Sequence, residues 1–279
     1  MSEQNNSILS VRDLVLHVMG DGAPQKEIRY GSFDIHPGDF LLIKGHNGCG
    51  KSTLLRMFRL QGTTYFKVAA GEILFHRAGF PEGSIHTYSA DELSQLSCAV
   101  AFIDQDERFL SSDSAYSYMI NVCRIALDGD RSLTPADRRE RMRAAEDMIA
   151  AYYEKYLHRS FDGIGYKAFK KRKVRAFSGG QQKMIHVLAG IIKARAAGLS
   201  LLIMDEPLNN LDGRNKCILN ALIADLRAEG IAIMAITHCQ IFGNVQKTLT
   251  LEEGEDSICR ATLSLATADP HRECLEEYL

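Results

Sequence analysis

The stretch FLLIKGHNGCGKSTLLRMF, residues 40–58, constrains the fold of this 279-residue chain more than any other. FLLIK is a continuous apolar run, as expected of a strand buried on both faces of a parallel sheet. GHNGCGKS, residues 45–52, fits G-x-x-x-x-G-K-[ST], and STLLRMF opens a helix directly behind it. Strand, glycine-rich loop and helix in that order form an anion cradle. Gly45, Gly48 and Gly50 let backbone N–H groups curl around phosphates, and the helix N-terminus adds partial positive charge. Lys51 is placed to reach the β- and γ-phosphates and Ser52 to bind Mg²⁺, while His46, Asn47, Cys49 and Thr53 complete the loop.

Three further apolar runs, AVAFI (99–103), LSLLIM (199–204) and IAIMAIT (231–237), are continuous in the same way and alternate with helix-like segments. ILSVRDLVLHV and EIRYGSFDI alternate more and end in turn residues, which reads as an antiparallel flank. The expected fold class is α/β: a phosphate-loop NTPase core with a mostly parallel sheet, an antiparallel β flank and a helical subdomain inserted at about residues 106–177, all within a single domain over 1–279. The clearest helix of the insert starts at Thr134, with Pro135 at the first helical position and Asp137 placed for a reciprocal cap. Met142, Ala145, Ile149, Tyr152 and Tyr156 then make one apolar stripe, read as packing.

LLIMDEP, residues 201–207, ends a buried strand in two carboxylates, which is costly unless they meet a cation or do chemistry. Asp205 is the candidate for Mg²⁺, through water, and Glu206 the candidate general base that orients an attacking water.

Composition narrows the partners. With 33 basic against 35 acidic residues, no global field argues for nucleic acid or an anionic membrane, so none is expected as a binding partner. The N-terminal residues MSEQNNSILSVRD do not read as a secretory signal, and no apolar run approaches the ~18 residues that span a bilayer. The expectation is a cytoplasmic protein, reaching the inner face of a membrane only through partner subunits. Seven scattered cysteines with no C-x-x-C pair fit reduced thiols and neither a disulfide framework nor a zinc site.

A second glycine pair lies in FSGGQQ, residues 177–182. Gly179 and Gly180 allow close backbone approach, Ser178 offers a hydroxyl, and QQKMIHVLAGIIKARAA behind them reads as a helix whose N-terminal amides face an anion. With GHNGCGKS, Gln105 in AFIDQD, FSGGQ, LLIMDEP, NNLD and Thr237–His238 in this order, the chain is similar over residues 8–253 to ATP-binding-cassette (ABC) nucleotide-binding domains. The resemblance implies that two such subunits, identical or related, sandwich two ATP molecules head to tail. Ser178, Gly179, Gly180 and Gln181 of each would meet the γ-phosphate held by the other. It further implies that Gln105 contacts Mg²⁺ and the attacking water, that His238 contacts the γ-phosphate, and that Asp212 in NNLD crosses the interface.

The resemblance implies an ATP hydrolase that drives separate membrane permease subunits, with a soluble ATPase of iron–sulfur cluster or other assembly as the alternative. The coupling surface is expected after Gln105, at Phe109, Leu110 and Tyr116, residues that alternatively pack internally. Two features depart from the family pattern. Val18 or Met19 stands where an aromatic usually stacks on adenine, and Tyr30 lies too late to replace it. The run GYKAFKKRKVRAF concentrates Lys167, Lys170, Lys171, Arg172, Lys173 and Arg175 before the second glycine loop, as a solvated face or as a contact for headgroups or an acidic partner.

Overall fold

The computed structural model describes residues 6–20, 23–58, 65–77, 79–105, 109, 112–237, 242 and 245–265. Its strands are β1 (Leu9–Gly20), β2 (Ala23–Ile35), β3 (Phe40–Gly45), β4 (Phe66–Phe75), β5 (Ala101–Ile103), β6 (Leu201–Asp205), β7 (Ala232–Ile236), β8 (Lys247–Glu253) and β9 (Cys259–Leu265). They form one sheet in the order β4-β1-β2-β9-β8-β3-β7-β6-β5. From β8 to β5 every pairing is parallel, whereas β1 runs antiparallel to both β2 and β4, so the core and the flank are as expected. The parallel pairing of β2 with β9 and the antiparallel pairing of β9 with β8 join flank and core.

The continuous apolar runs have a direct physical cause. Successive side chains of a strand point to opposite faces, and here both faces are covered. Phe40 and Leu42 of β3 enter one core cluster, while Leu41 and Ile43 enter the other. In β6, Leu202 and Met204 separate from Leu201 and Ile203 in the same way.

The helices are α1 (Lys51–Met57), α2 (Ala90–Ala99), α3 (Ala115–Gly129), α4 (Pro135–Tyr152), α5 (Tyr166–Lys171), α6 (Gly179–Ala196) and α7 (Gly213–Ala228). Thr134 and Asp137 form the reciprocal cap of α4, and Ala145, Ile149 and Tyr152 are buried, with Met142 and Tyr156 packed beside them. The apolar run at 99–103 is divided: Ala99 closes α2, whose capping box joins Ser89 to Glu92, and only Ala101–Ile103 extend as a strand.

The basic run is a solvated face, as its charge suggests, that also makes local contacts. Its backbone straps residues 112–115 to the entry of α6, with Ala115 N–H donating to Arg172 O (3.1 Å) and Val174 N–H to Asp113 O (3.0 Å). Lys170 lies over the Tyr116 ring at 4.0 Å, Lys173 donates to Ser112 O, and Arg175 donates to Phe109 O at 3.2 Å. Lys167, Lys171, Arg172, Lys173 and Arg175 are all exposed, and Lys170 is half-buried.

Candidate functional site

The glycine loop begins where β3 ends, and its conformation admits little but glycine. Gly45 has φ +141°, and a Cβ there would lie 2.4 Å from Leu251 O of the neighbouring β8. Gly50 has φ +101°, and a Cβ there would meet the Ile28 side chain at 2.3 Å. Both positions are left-handed or beyond for an L-residue, so the loop can close tightly only with glycine. Lys51, 7% exposed, donates to Gly45 O (2.8 Å) and His46 O (2.9 Å), which binds its ammonium into the loop it follows. Cys49 is buried beside Gly45, and burial raises its thiol pKa, favouring the protonated form.

Tyr30 has a role that the sequence does not suggest. It is fully enclosed beneath the loop, and its hydroxyl donates to Gly50 O at 2.7 Å. Burial raises the phenol pKa well above its ordinary value, so it remains a donor at neutral pH. Enclosed in this way, the Tyr30 ring offers no open face on which a base could stack.

Above the loop opens a cleft of about 420 Å³, lined among others by Lys51, Ser52, Gln105, Asp205, Glu206 and Asn209. These groups converge because the strands are parallel: β3, β5, β6 and β7 all end on this side of the sheet, the usual place for ligands in open α/β sheets. Asn47, Gly48, Gly50, Thr53 and Val18 line the same cleft, whereas Met19 does not. Glu206 is 5% exposed and has φ +47°, a left-handed conformation rare for a residue with a side chain, pinned by its N–H donating to Ile236 O at 2.9 Å. Such strain costs about 1–3 kcal/mol and is concentrated at functional sites. Thr237 follows β7 and is buried, and His238 lies outside the described residues.

The Asp205 carboxyl pKa is raised, first by burial and then by the nearby Glu206 and Asp104 carboxylates; Arg56 and a hydrogen bond from Ser52 oppose the shift. Crowded carboxylates at a strand end, with a hydroxyl and an amide beside them, form a hard oxygen donor set that suits Mg²⁺. A carboxylate whose folded-state pKa is raised detracts from stability as pH rises from the unfolded value through the folded one. Asp205→Asn should therefore raise the thermal midpoint of nucleotide-free protein at pH 7 and abolish any stabilisation by added Mg²⁺ and nucleotide, as differential scanning fluorimetry would show. An unchanged response to Mg²⁺ and nucleotide would remove Asp205 from the cation site.

The second glycine loop stands apart. Ser178, Gly179, Gly180, Gln181 and Asp212 do not line the cleft of their own chain. Ser178 is the N-cap of α6, accepting from Gln181 N–H at 3.4 Å while its own N–H donates to Gln181 Oε1 at 3.1 Å. Gly180 passes close to the turn after Glu206, where a Cβ would lie 2.8 Å from Asn210 O. Gly179 is exposed, with nothing within 4 Å of where a Cβ would be. Asp212 caps α7, accepting from Asn215 N–H at 2.8 Å. Phe177 is anchored in an aromatic cluster, its ring centroid 5.0 Å from that of Phe161.

Sequence reasoning missed Arg56, and it weighed Tyr30 and Asn209 without placing either at this site. Arg56 carried a usable signal, since it stands four residues after Ser52 on α1 and so shares its face. Tyr30 carried none, because its partner lies on another element.

A family profile described as ABC transporter matches residues 28–209. Among curated proteins, the molybdate import ATP-binding protein MolC of Haemophilus influenzae is 28% identical over 251 residues, covering 89% of this chain and 80% of its own. The lipoprotein-releasing system ATP-binding protein LolD 2 of Chlorobaculum tepidum is 26% identical over 260 residues, covering 92% and 94%. Among solved structures, the dimeric post-hydrolysis state of the ATP-binding cassette MJ0796 bound to ADP and Pi superposes with a TM-score of 0.62 at 19% identity, over 93% of this chain and 99% of that one.

Proposed function

The chain belongs to the ABC transporter family, and from that premise we propose which of its residues carry ATP hydrolysis and how. It is an ATP-hydrolysing subunit that works with membrane permease partners, and nothing in the matched family favours the cluster-assembly role. The observation that carries the assignment of residues is the single cleft in which the loop lysine, a strand-end carboxylate pair and Gln105 meet.

Backbone amides from Gly45 to Ser52, with Lys51, grip the triphosphate and hold its γ-phosphoryl in place. Ser52, Asp205 and Gln105 would hold Mg²⁺, which when bound neutralises charge on the β- and γ-oxygens. Glu206, which lines the cleft, orients the attacking water and takes its proton. Little covalent work is needed beyond this positioning, because phosphoryl transfer is governed by alignment and charge. His238 is assigned to the γ-phosphate by resemblance alone.

The second loop completes the site of another chain. Its exposed helix N-terminus, open space at Gly179 and separation from its own cleft all suit an anion presented from outside. Two cassettes, identical or related, thus close on two ATP molecules, and hydrolysis releases the closure. Specific ATPase activity is expected to rise with protein concentration until the dimer saturates. A rate per molecule that is constant across a hundredfold dilution would overturn the shared site.

Phe109 and Tyr116 are internally packed: Phe109 meets the Tyr118 ring edge-on at 4.7 Å, and Tyr116 lies under Lys170. Leu110 lies outside the described residues. An adjoining groove of about 330 Å³ sets Phe102 and Val122 beside the polar Ser97, His186 and Lys193, and a permease segment docking there would need both apolar and polar groups. Among the described residues no helix is long and apolar enough to cross a membrane.

A further inference from the structure

Lys183 places a lysine inside the protein: it sits on α6, five residues beyond the cap Ser178, and is 1% exposed. Burying an ammonium is costly, and an apolar side chain of similar volume commonly serves packing as well or better. Packing therefore does not account for the charge. Its Nζ donates to Asp104 O at 3.0 Å and Gln105 O at 2.9 Å, the carbonyls of the two residues that follow β5. Gln105 in turn lines the nucleotide cleft.

The same helix also packs closely on β5 at Gly190. Gly190 is seven residues, about two turns, beyond Lys183 and so lies on the same face of α6. A Cβ at Gly190 would lie 2.5 Å from Ile103 Cγ1, so helix and strand meet there at backbone range. The Gly190 contact is apolar and has no side chain on the helix to interlock. The Lys183 contact is charged and directional, which makes it a latch.

We propose that Lys183 is a positioning residue that ties the backbone of Gln105 to the helix bearing Ser178, Gly179 and Gly180. A phosphate from the partner subunit, arriving at the N-terminus of α6, thereby acts on the orientation of Gln105 in the chain's own cleft. Each nucleotide site of the dimer is linked to the other through one buried ammonium. This inference rests on the reading of the cleft as the ATP site and of Gln105 as a group that meets the reacting water.

The test measures phosphate release against ATP concentration for wild type, Lys183→Met, Lys183→Arg, Gln105→Ala and the Lys183→Met/Gln105→Ala double variant, with a thermal midpoint for each. Lys183→Met is expected to lower kcat roughly 10- to 100-fold, the scale of a small misplacement at a reacting centre, with KM for ATP within about twofold of wild type. Its thermal midpoint should be equal or higher, as a purely structural lysine would not allow together with lost turnover. Lys183→Arg should recover kcat to within about threefold, and adding Lys183→Met to Gln105→Ala should change kcat less than about twofold, because the two act as one unit. Wild-type kcat in Lys183→Met, or losses that multiply in the double variant, would overturn the latch. If Lys183→Met does not fold, Lys183→Gln is judged by the same criteria. Undiminished turnover in Gln105→Ala would instead overturn the reading of the cleft, whereas a slow Gln105→Ala beside a normal Lys183→Met would overturn only the latch.

Discussion

Glu206→Gln is expected to reduce ATP turnover by roughly 10²- to 10⁴-fold, the usual contribution of a positioned general base, while ATP still binds. The substitution is nearly isosteric, and Gln inherits the same φ of +47° and the same backbone bond to Ile236, so the fold does not discriminate against it. What it removes is the proton acceptor and one of the negative charges that raise the Asp205 pKa. With hydrolysis stalled, the closed pair of subunits should persist, eluting as a dimer in ATP and Mg²⁺ and as a monomer without nucleotide. Turnover at the wild-type rate would remove Glu206 as the base, and a monomer at saturating ATP would count against closure by nucleotide.

The second large effect comes from a position that matters little to the isolated chain. Gly179 opens α6, and an added Cβ meets nothing within 4 Å. Gly179→Leu should fold as well as wild type or better, since an exposed helical glycine is about 0.5–1 kcal/mol less favourable than a good helix former. Turnover should nevertheless fall at least roughly tenfold, because the isobutyl group occupies space that a partner's phosphate requires. Ser178→Ala provides the contrast: loss of its cap should cost about 1 kcal/mol of stability. Thermal midpoints beside phosphate release separate the two, and a Gly179→Leu protein that turns over normally would show that no ligand approaches this helix end.

The parts of this molecule that a linear reading recovers are those whose chemistry is compressed into a few adjacent residues. The loop at 45–52 and the carboxylates at 205 and 206 each follow a strand that is apolar because it is covered twice, and the structure places them together. Strands β8 and β9 escaped, although they are consecutive and pair antiparallel, because β8 is only partly buried and β9 largely exposed, and both carry short polar-interrupted patterns instead of a continuous apolar run. The helix α2 also escaped, although Ser89 and Glu92 form a reciprocal cap that the spacing could have revealed. Tyr30, joined to Gly50 across 20 positions, and Lys183, joined to Asp104 across 79, depend on folding itself to bring donor and acceptor together. Their side chains are uninformative until the acceptor is known. The basic run is exposed, as a cluster of cations suggests, and only the contacts of Lys170, Lys173 and Arg175 with Tyr116, Ser112 and Phe109 had no sign in the sequence.

Strand β3 sits between β7 and β8, and Gly45 closes against the carbonyl of Leu251. The ribosome therefore releases the cradle-forming residues about two hundred positions before the segments that brace them. A nascent chain halted short of residue 250 should have no nucleotide affinity, however complete its glycine loop. Quality control during synthesis would thus see an unfinished cassette as empty, and ATP could favour only a chain that has been made almost to its last strands.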